Sequence, residues 1–175
     1  MKQSDPYIKH LVLVGGGHSH VQVVKQFGMT PVPGLKVTLI CKDTDTPYSG
    51  MLPGHVAGHY SFDDIHIDLM RLSAWAGIRY INAAVVAMDP DIKRLELDDA
   101  SHMSFDLVSI NTGSSPDLDT VPGARDFALP VKPIASFLQR WDSSEQKIGQ
   151  QSSNRIAVVG AGAGGVELLL ALQHR

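Results

Sequence analysis

Two segments of the chain align letter on letter without a gap: LVLVGGGHSHVQVV (Leu11 to Val24) and IAVVGAGAGGVELL (Ile156 to Leu169). Each is a short apolar run, a glycine cluster and then residues at helical spacing, so each reads as strand, tight turn and helix. Gly15 falls on Gly160, Gly17 on Gly162, His20 on Gly165 and Val21 on Val166. A repeated strand–turn–helix limits the chain to α/β architectures, in which a parallel sheet is covered on both faces.

The remaining pattern agrees. Leu11–Val14, Val37–Ile40 and Ile156–Val159 are too short for helices and apolar throughout, as doubly covered strands require. His20 to Phe27 has helical spacing between the first two runs, with Gly28 and Pro31 as stop signals, which makes a βαβ unit. A second helix is expected from Asp64 to Gly77, with Ile65, Leu69, Leu72 and Trp75 or Ala76 on one face. Arg79–Ile81 starts another strand, Val85 to Leu97 reads as a hairpin or meander around Asp89-Pro90, and Phe105–Ile110 is a strand ending at TGSSP. Ile134 to Trp141 reads as a helix, and Ser143 to Asn154 as a polar linker.

In a G-x-G-x-x-G turn the first glycine permits the bend and the second lets the backbone approach a pyrophosphate. The third lets the helix pack on the strand. Unpaired helix N-terminal amides then face the phosphates. Gly160, Gly162 and Gly165 meet the whole pattern. The first loop keeps Gly15 and Gly17 but carries His20 at the packing position. The acidic residue expected after the second strand is also displaced, because Cys41 follows Ile40. Ribose binding is left to Asp43, to backbone groups or to Lys42.

A metal pair is the competing reading of His18 and His20, but two residues apart they do not share a helix face, and no Cys, Asp or Glu lies near them in sequence to complete a site. His55 and His59 have i,i+4 spacing without the glutamate of H-E-x-x-H. No metal is therefore expected. A net charge of −3 provides no basic field for nucleic acid. The single cysteine permits neither an internal disulfide nor a Cys-x-x-Cys pair and suits a reducing, cytoplasmic setting. The low-charge run Ile156 to Gln173 is interrupted by glycines and Glu167, which suits a strand, turn and helix rather than a membrane span.

Four blocks, VGGGHSH, TPYSGMLPGHVAG, FDLVSINTGSSP and VVGAGAGGVEL, together resemble the two-dinucleotide-binding flavoproteins, the pyridine nucleotide-disulfide oxidoreductase-like proteins. Among them the chain looks most like type II NADH dehydrogenases and sulfide:quinone reductases. It is most similar to the NADH dehydrogenase-like module fused to selenide, water dikinase. The resemblance implies a Rossmann-like FAD-binding domain, a parallel sheet plus β-meander, over 1–142, a linker over 143–154, and the first strand and helix of an NAD(P)H-binding domain over 155–175. It also implies that the chain is an N-terminal fragment: the rest of the second domain, the return segment completing the first, and any kinase domain or membrane-peripheral C-terminus would follow. Alone, such a fragment is expected to be inactive and to bind FAD incompletely.

Carried over by motif, the resemblance places Gly15, Gly17, His18 and Ser19 at the FAD pyrophosphate. It places Tyr48, Ser49, Gly50, Met51, Leu52 and Pro53 beside the flavin, Val85 at the adenine, and Thr112, Gly113 and Ser114 over the flavin. Gly160, Gly162, Gly164, Gly165 and Glu167 match the NAD(P)H side. The implied reaction is hydride transfer from NAD(P)H to FAD and on to an unnamed acceptor. No side chain is obligatory as acid or base, since the flavin carries the chemistry; Lys132 is a candidate only for placing positive charge near it. The alternatives are a sulfide:quinone reductase-like enzyme, which would need further cysteines, and a non-catalytic FAD-binding regulatory module. The loop histidines are expected as flavin neighbours, with His20→Ala largely sparing FAD binding.

Overall fold

Both apolar runs around the first glycine loop become strands buried on both faces, and their alternate residues enter different cores. In the computed structural model, which describes residues 9–149 and 155–175, β1 (Lys9–Val14) lies between β2 (Leu35–Ile40) and β9 (Leu107–Ile110), with β5 (Arg79–Ile81) beyond β2. All three ladders are parallel, with Val14 opposite both Ile40 and Ile110. On one face Leu13 and Leu39 pack with Val21 and Val24 of α1 (His18–Met29) and Leu69 of α4 (Leu69–Trp75). On the other, Val12, Val14 and Ile40 pack with Leu95 and Leu97 of an antiparallel meander. That meander is β6 (Val85–Asp89), β7 (Arg94–Leu97) and β8 (His102–Ser104). The α/β architecture expected from the repeat is therefore present, and the unbroken apolar runs are explained by two distinct contact faces.

The chain divides into two compact units: 1–46 with 67–113, and 47–66 with 114–175. The first holds the parallel sheet, α1, α4 and the meander. Short strands β3 (Asp45–Pro47) and β4 (His66–Asp68) lie where the chain leaves and re-enters it. The second unit contains α2 (Leu52–Val56), α3 (Phe62–Ile65), α5 (Ala124–Phe127), α6 (Ile134–Gly149) and α7 (Ala163–His174). Its core joins Leu52, Val56, Ile65, Phe137, Leu138, Trp141, Leu168 and Ala171.

Three expectations are corrected. The helix expected over Asp64–Gly77 is two helices separated by β4. Ser61 caps the first through a reciprocal capping box with Asp64, and the Asp68 carboxylate accepts from Arg71 N–H to start the second. The helix from Ile134 runs on to Gly149, so the first part of the expected linker is helical, while 150–154 lie outside the described residues. Ile156–Val159 forms no strand: Val159 is 95% exposed, and an apolar run becomes a strand only with a ladder partner.

His10 sits half-buried in β1, its Nε2 2.9 Å from Thr38 Oγ1 and its backbone N–H donating to Asp106. Burial first, and then the Lys36 charge, hold its pKa below the ordinary value. The unfolded chain therefore takes up this proton first as pH falls, so the stability that neutral His10 provides is lost below about pH 6.5. Urea titrations between pH 7 and 5 are expected to show a smaller loss of stability for His10→Gln than for the native chain. Ser73 Oγ, fully buried, has no hydrogen-bond partner among the described residues. Ser73→Ala removes an unpaid desolvation cost and is expected to raise stability by about 1 kcal/mol in the same titrations.

Candidate functional site

Because β5, β2, β1 and β9 run parallel, the chain leaves all four at one edge of the sheet, and the first glycine loop is tied to its neighbours there. Gly15 N–H donates to Ile40 O at 2.8 Å, Gly17 N–H to Asn111 O at 3.1 Å, and Asn111 N–H back to Val14 O at 2.8 Å. This is the position, outside the strand ends and between oppositely directed connections, where open α/β sheets take ligands. Gly15 has φ +91°, a left-handed conformation, and a Cβ there would come within 2.7 Å of the Asn111 carbonyl carbon. A Cβ on Gly17 would collide with the Asn111 side chain. No Cβ fits at Gly15, and one at Gly17 requires the Asn111 side chain to move.

Gly17 is the N-cap of α1, with extended backbone, and accepts from His20 N–H at 2.9 Å and Val21 N–H at 3.2 Å. The amides of His18 and Ser19 precede the first intrahelical donor, His20 N–H. Both residues are exposed, and the first turn carries no acidic residue. A 12-residue helix whose positive end lies behind glycines and free of carboxylates fits the pyrophosphate of a dinucleotide. At the end of β2, Lys42 and Asp43 are exposed, and their backbone is fastened by β5. Asn82 Nδ2 donates to Lys42 O at 2.6 Å, and the Tyr80 hydroxyl donates to Cys41 O at 2.9 Å and Asp43 O at 3.1 Å. Burial raises the Tyr80 pKa, so its hydroxyl stays protonated as this donor.

Of the expected site residues, Gly15, Gly17, His18, Ser19, Lys42, Asp43, Thr112 and Gly113 are brought together at this edge of the first unit. Val85 is the first residue of β6, paired with Leu97, its side chain packed in the meander core. Tyr48, Ser49, Gly50, Met51, Leu52 and Pro53 belong to the second unit, as do Ser114 and the exposed Lys132. There Ser49–Met51 is a 3-10 turn secured by Tyr48 N–H to Ile65 O at 2.7 Å, and Leu52 is a core residue.

The second loop repeats the backbone of the first. Gly160 is left-handed at φ +115°, and Gly162 caps α7 with extended backbone, as Gly17 caps α1. Gly165 N–H and Val166 N–H both return to Gly162 O. A Cβ on Gly165 would collide with Gly160 O, so the third glycine here is required by packing, whereas Gly162 and Gly164 have open space around them. Glu167 is exposed in the following turn.

His20 is not the ligand neighbour expected of it. Its ring is 2% exposed, with Nδ1 2.7 Å from Gly15 O and Nε2 2.9 Å from Ser109 Oγ. Replacing it with alanine would strand two polar partners and open a void, so the expected tolerance of His20→Ala does not follow. Sequence reasoning also passed over Asn111, Ser109, Asn82 and Tyr80. Only the strand-end positions of Asn111 and Asn82 signalled them, since residues at the carboxyl ends of parallel strands line such sites.

Residues 9–174 match the family described as pyridine nucleotide-disulphide oxidoreductase. The chain belongs to this family. Its members bind FAD and NAD(P)H. The chain is 27% identical over 176 residues to the NADH dehydrogenase-like protein YutJ of Bacillus subtilis, covering 95% of this chain and 46% of that protein. It is 32% identical over 108 residues to a sulfide-quinone reductase of Aquifex aeolicus, covering 60% and 24% respectively. The fold matches that of a water-forming NADH oxidase from Lactobacillus brevis with a TM-score of 0.75 at 21% identity, over 95% of this chain and 37% of that one. The chain thus spans less than half the length of these relatives. No helix among the described residues is long and apolar enough to cross a membrane.

The two loops predict unequal responses to one added methyl. Gly17→Ala is expected to destabilise the first unit by about 1–3 kcal/mol, because the loop or Asn111 must move. Gly162→Ala, at φ −72° in open space, is expected to stay within about 0.5 kcal/mol. Thermal or urea unfolding of the two variants checks the contrast.

Proposed function

We propose that this chain is the FAD-binding portion of an NAD(P)H oxidoreductase of the NADH dehydrogenase-like kind, with the FAD pyrophosphate on the Gly15–Ser19 loop. The observation that carries the reading is the N-terminus of α1, capped by Gly17 with no acidic residue in its first turn, at the edge where β1, β2 and β9 end together. On this reading the amides of His18 and Ser19 hold the pyrophosphate. Asp43 accepts from the adenosine ribose, Lys42 stands beside it, and the backbone of Val85 borders the adenine. Thr112, Gly113 and Ser114, with Tyr48 to Pro53, border the flavin, which when bound would accept a hydride from NAD(P)H and pass electrons to an acceptor. Residues 1–142 are proposed as the FAD-binding part. Residues 155–175 would open the NAD(P)H-binding part, where Gly160, Gly162, Gly164, Gly165 and Glu167 form the second nucleotide turn.

The names of the relatives support a quinone or a small redox protein as acceptor. Identity with the Aquifex protein favours, as a second reading, a sulfide:quinone reductase-like enzyme. In this chain the one cysteine, Cys41, is held as a thiol by burial. The motifs GGGHSH and PYSGMLPG support a parent resembling the module fused to selenide, water dikinase. A cytoplasmic setting, peripheral to the membrane in a longer parent, suits this assignment.

Anaerobic mixing of the FAD-reconstituted full-length protein with NADH or NADPH is expected to bleach the flavin band. Bound FAD that neither nucleotide bleaches would overturn the reductase reading in favour of a regulatory flavin module. Bleaching by sulfide instead would favour the second reading.

A further inference from the structure

The two residues that depart from the nucleotide-binding pattern, His20 in place of the third glycine and Cys41 in place of the acidic residue, both lie against one peptide unit, Gly15–Gly16. The carbonyl of Gly15 receives His20 Nδ1 at 2.7 Å. The Gly16 half of the same peptide unit lies against the Cys41 side chain. A Cβ on Gly16 would lie 3.0 Å from its Sγ. We infer that His20 and Cys41 are positioning residues that clamp the Gly15–Gly16 peptide and so orient the loop for a pyrophosphate without the third glycine. The inference rests on the reading of this loop as the FAD site.

The chemistry of each contact fixes its direction. A carbonyl oxygen only accepts, so His20 Nδ1 carries the proton, and in the neutral ring Nε2 accepts from the Ser109 hydroxyl. The imidazole thereby links the loop to β9 as well as to α1. Burial keeps Cys41 a thiol, and its side chain packs beside Gly16. The loop carbonyl is held toward the protein interior, away from an incoming anion that it would otherwise repel. The second loop shows what the alternative requires. There the corresponding carbonyl, Gly160 O, lies so close to position 165 that any side chain collides with it. In the first loop the same carbonyl is the hydrogen-bond partner of the side chain that occupies that position.

The test measures FAD affinity and the 31P resonances of bound FAD in the full chain, for His20→Ala, His20→Asn, His20→Gln, Cys41→Ala and the His20→Ala/Cys41→Ala double variant. Asparagine places its amide nitrogen where Nδ1 stood and restores the bond to Gly15 O; glutamine places its amide where Nε2 stood and does not. FAD affinity is expected to fall about tenfold in His20→Ala and His20→Gln, both of which lose the hydrogen bond to Gly15 O, with both phosphorus resonances shifted. His20→Asn is expected to recover most of the affinity and the native shifts. The double variant is expected to lose less than the product of the single losses, because both residues act on one peptide. If His20→Ala does not fold, the comparison of asparagine with glutamine carries the test. Equal affinity and equal phosphorus shifts in those two variants, or strictly multiplicative losses for the alanine pair, would overturn the clamp. A native full-length protein that binds no FAD would overturn the reading of the site itself, and the clamp with it.

Discussion

The arrangement at the first glycine loop depends on β1 pairing in parallel with β2 on one side and β9 on the other. That pairing aligns Val14, Ile40 and Ile110, so that the next residues on all three strands meet at one edge. Main-chain bonds then carry the register into the loop, since Ile40 O receives Gly15 N–H and Asn111 O receives Gly17 N–H. A slip of either neighbour by one residue would move Asn111 or Cys41 off the loop and turn the buried faces of the strands outward. The two apolar clusters on either side of the sheet hold the register. Leu13 and Leu39 belong to one and Val12, Val14 and Ile40 to the other, so any shift exposes residues from both.

What the sequence disclosed follows from which signals are local. Strand, turn and helix around Gly15 are encoded by neighbours in the chain: four apolar residues, glycines at the bend, and Val21 and Val24 at helical spacing. The interruption of the helix near Asp64 was also locally encoded, in Ser61 and Asp64 as a capping box and in Asp68 as a second cap. An apolar period running through Ile65, Leu69 and Leu72 masked it. Periodicity reports which face is buried, whereas caps report where the backbone bonds begin, and here the caps decide. The extension of α6 to Gly149 is the opposite case. Its last turns lack an apolar face, so composition reads them as linker while the helix continues through them.

Other features were invisible because they depend on residues far apart in the chain. Ile156–Val159 has every local mark of a strand, yet a strand exists only by pairing, and Val159 stands almost wholly exposed. His20 and Ser109 are 89 positions apart, and Asn82 reaches back 40 to Lys42. Nothing near His20 in sequence says that its ring is buried against a carbonyl of its own loop. The same side chain read from the sequence alone is equally a ligand, a metal donor or a surface group. Only the short distance to Gly15 O and the loss of solvent exposure separate these roles.

Comparison of the two loops gives the physical meaning of the altered motif. Both use a left-handed first glycine and an extended second glycine as helix cap, so the bend and the helix start are the invariant parts within this chain. The third position instead governs how near the helix comes to the first glycine's carbonyl. With glycine at 165 the approach leaves no room for a Cβ. With histidine at 20 the carbonyl is engaged by a donor and the ring fills the space against Ser109. A glycine gains proximity at a cost in chain entropy, whereas histidine gives up proximity for two hydrogen bonds and a packed ring. Two solutions to the same geometric problem thus occur in one chain, and the second makes the orientation of the first loop depend on side chains from α1 and β9.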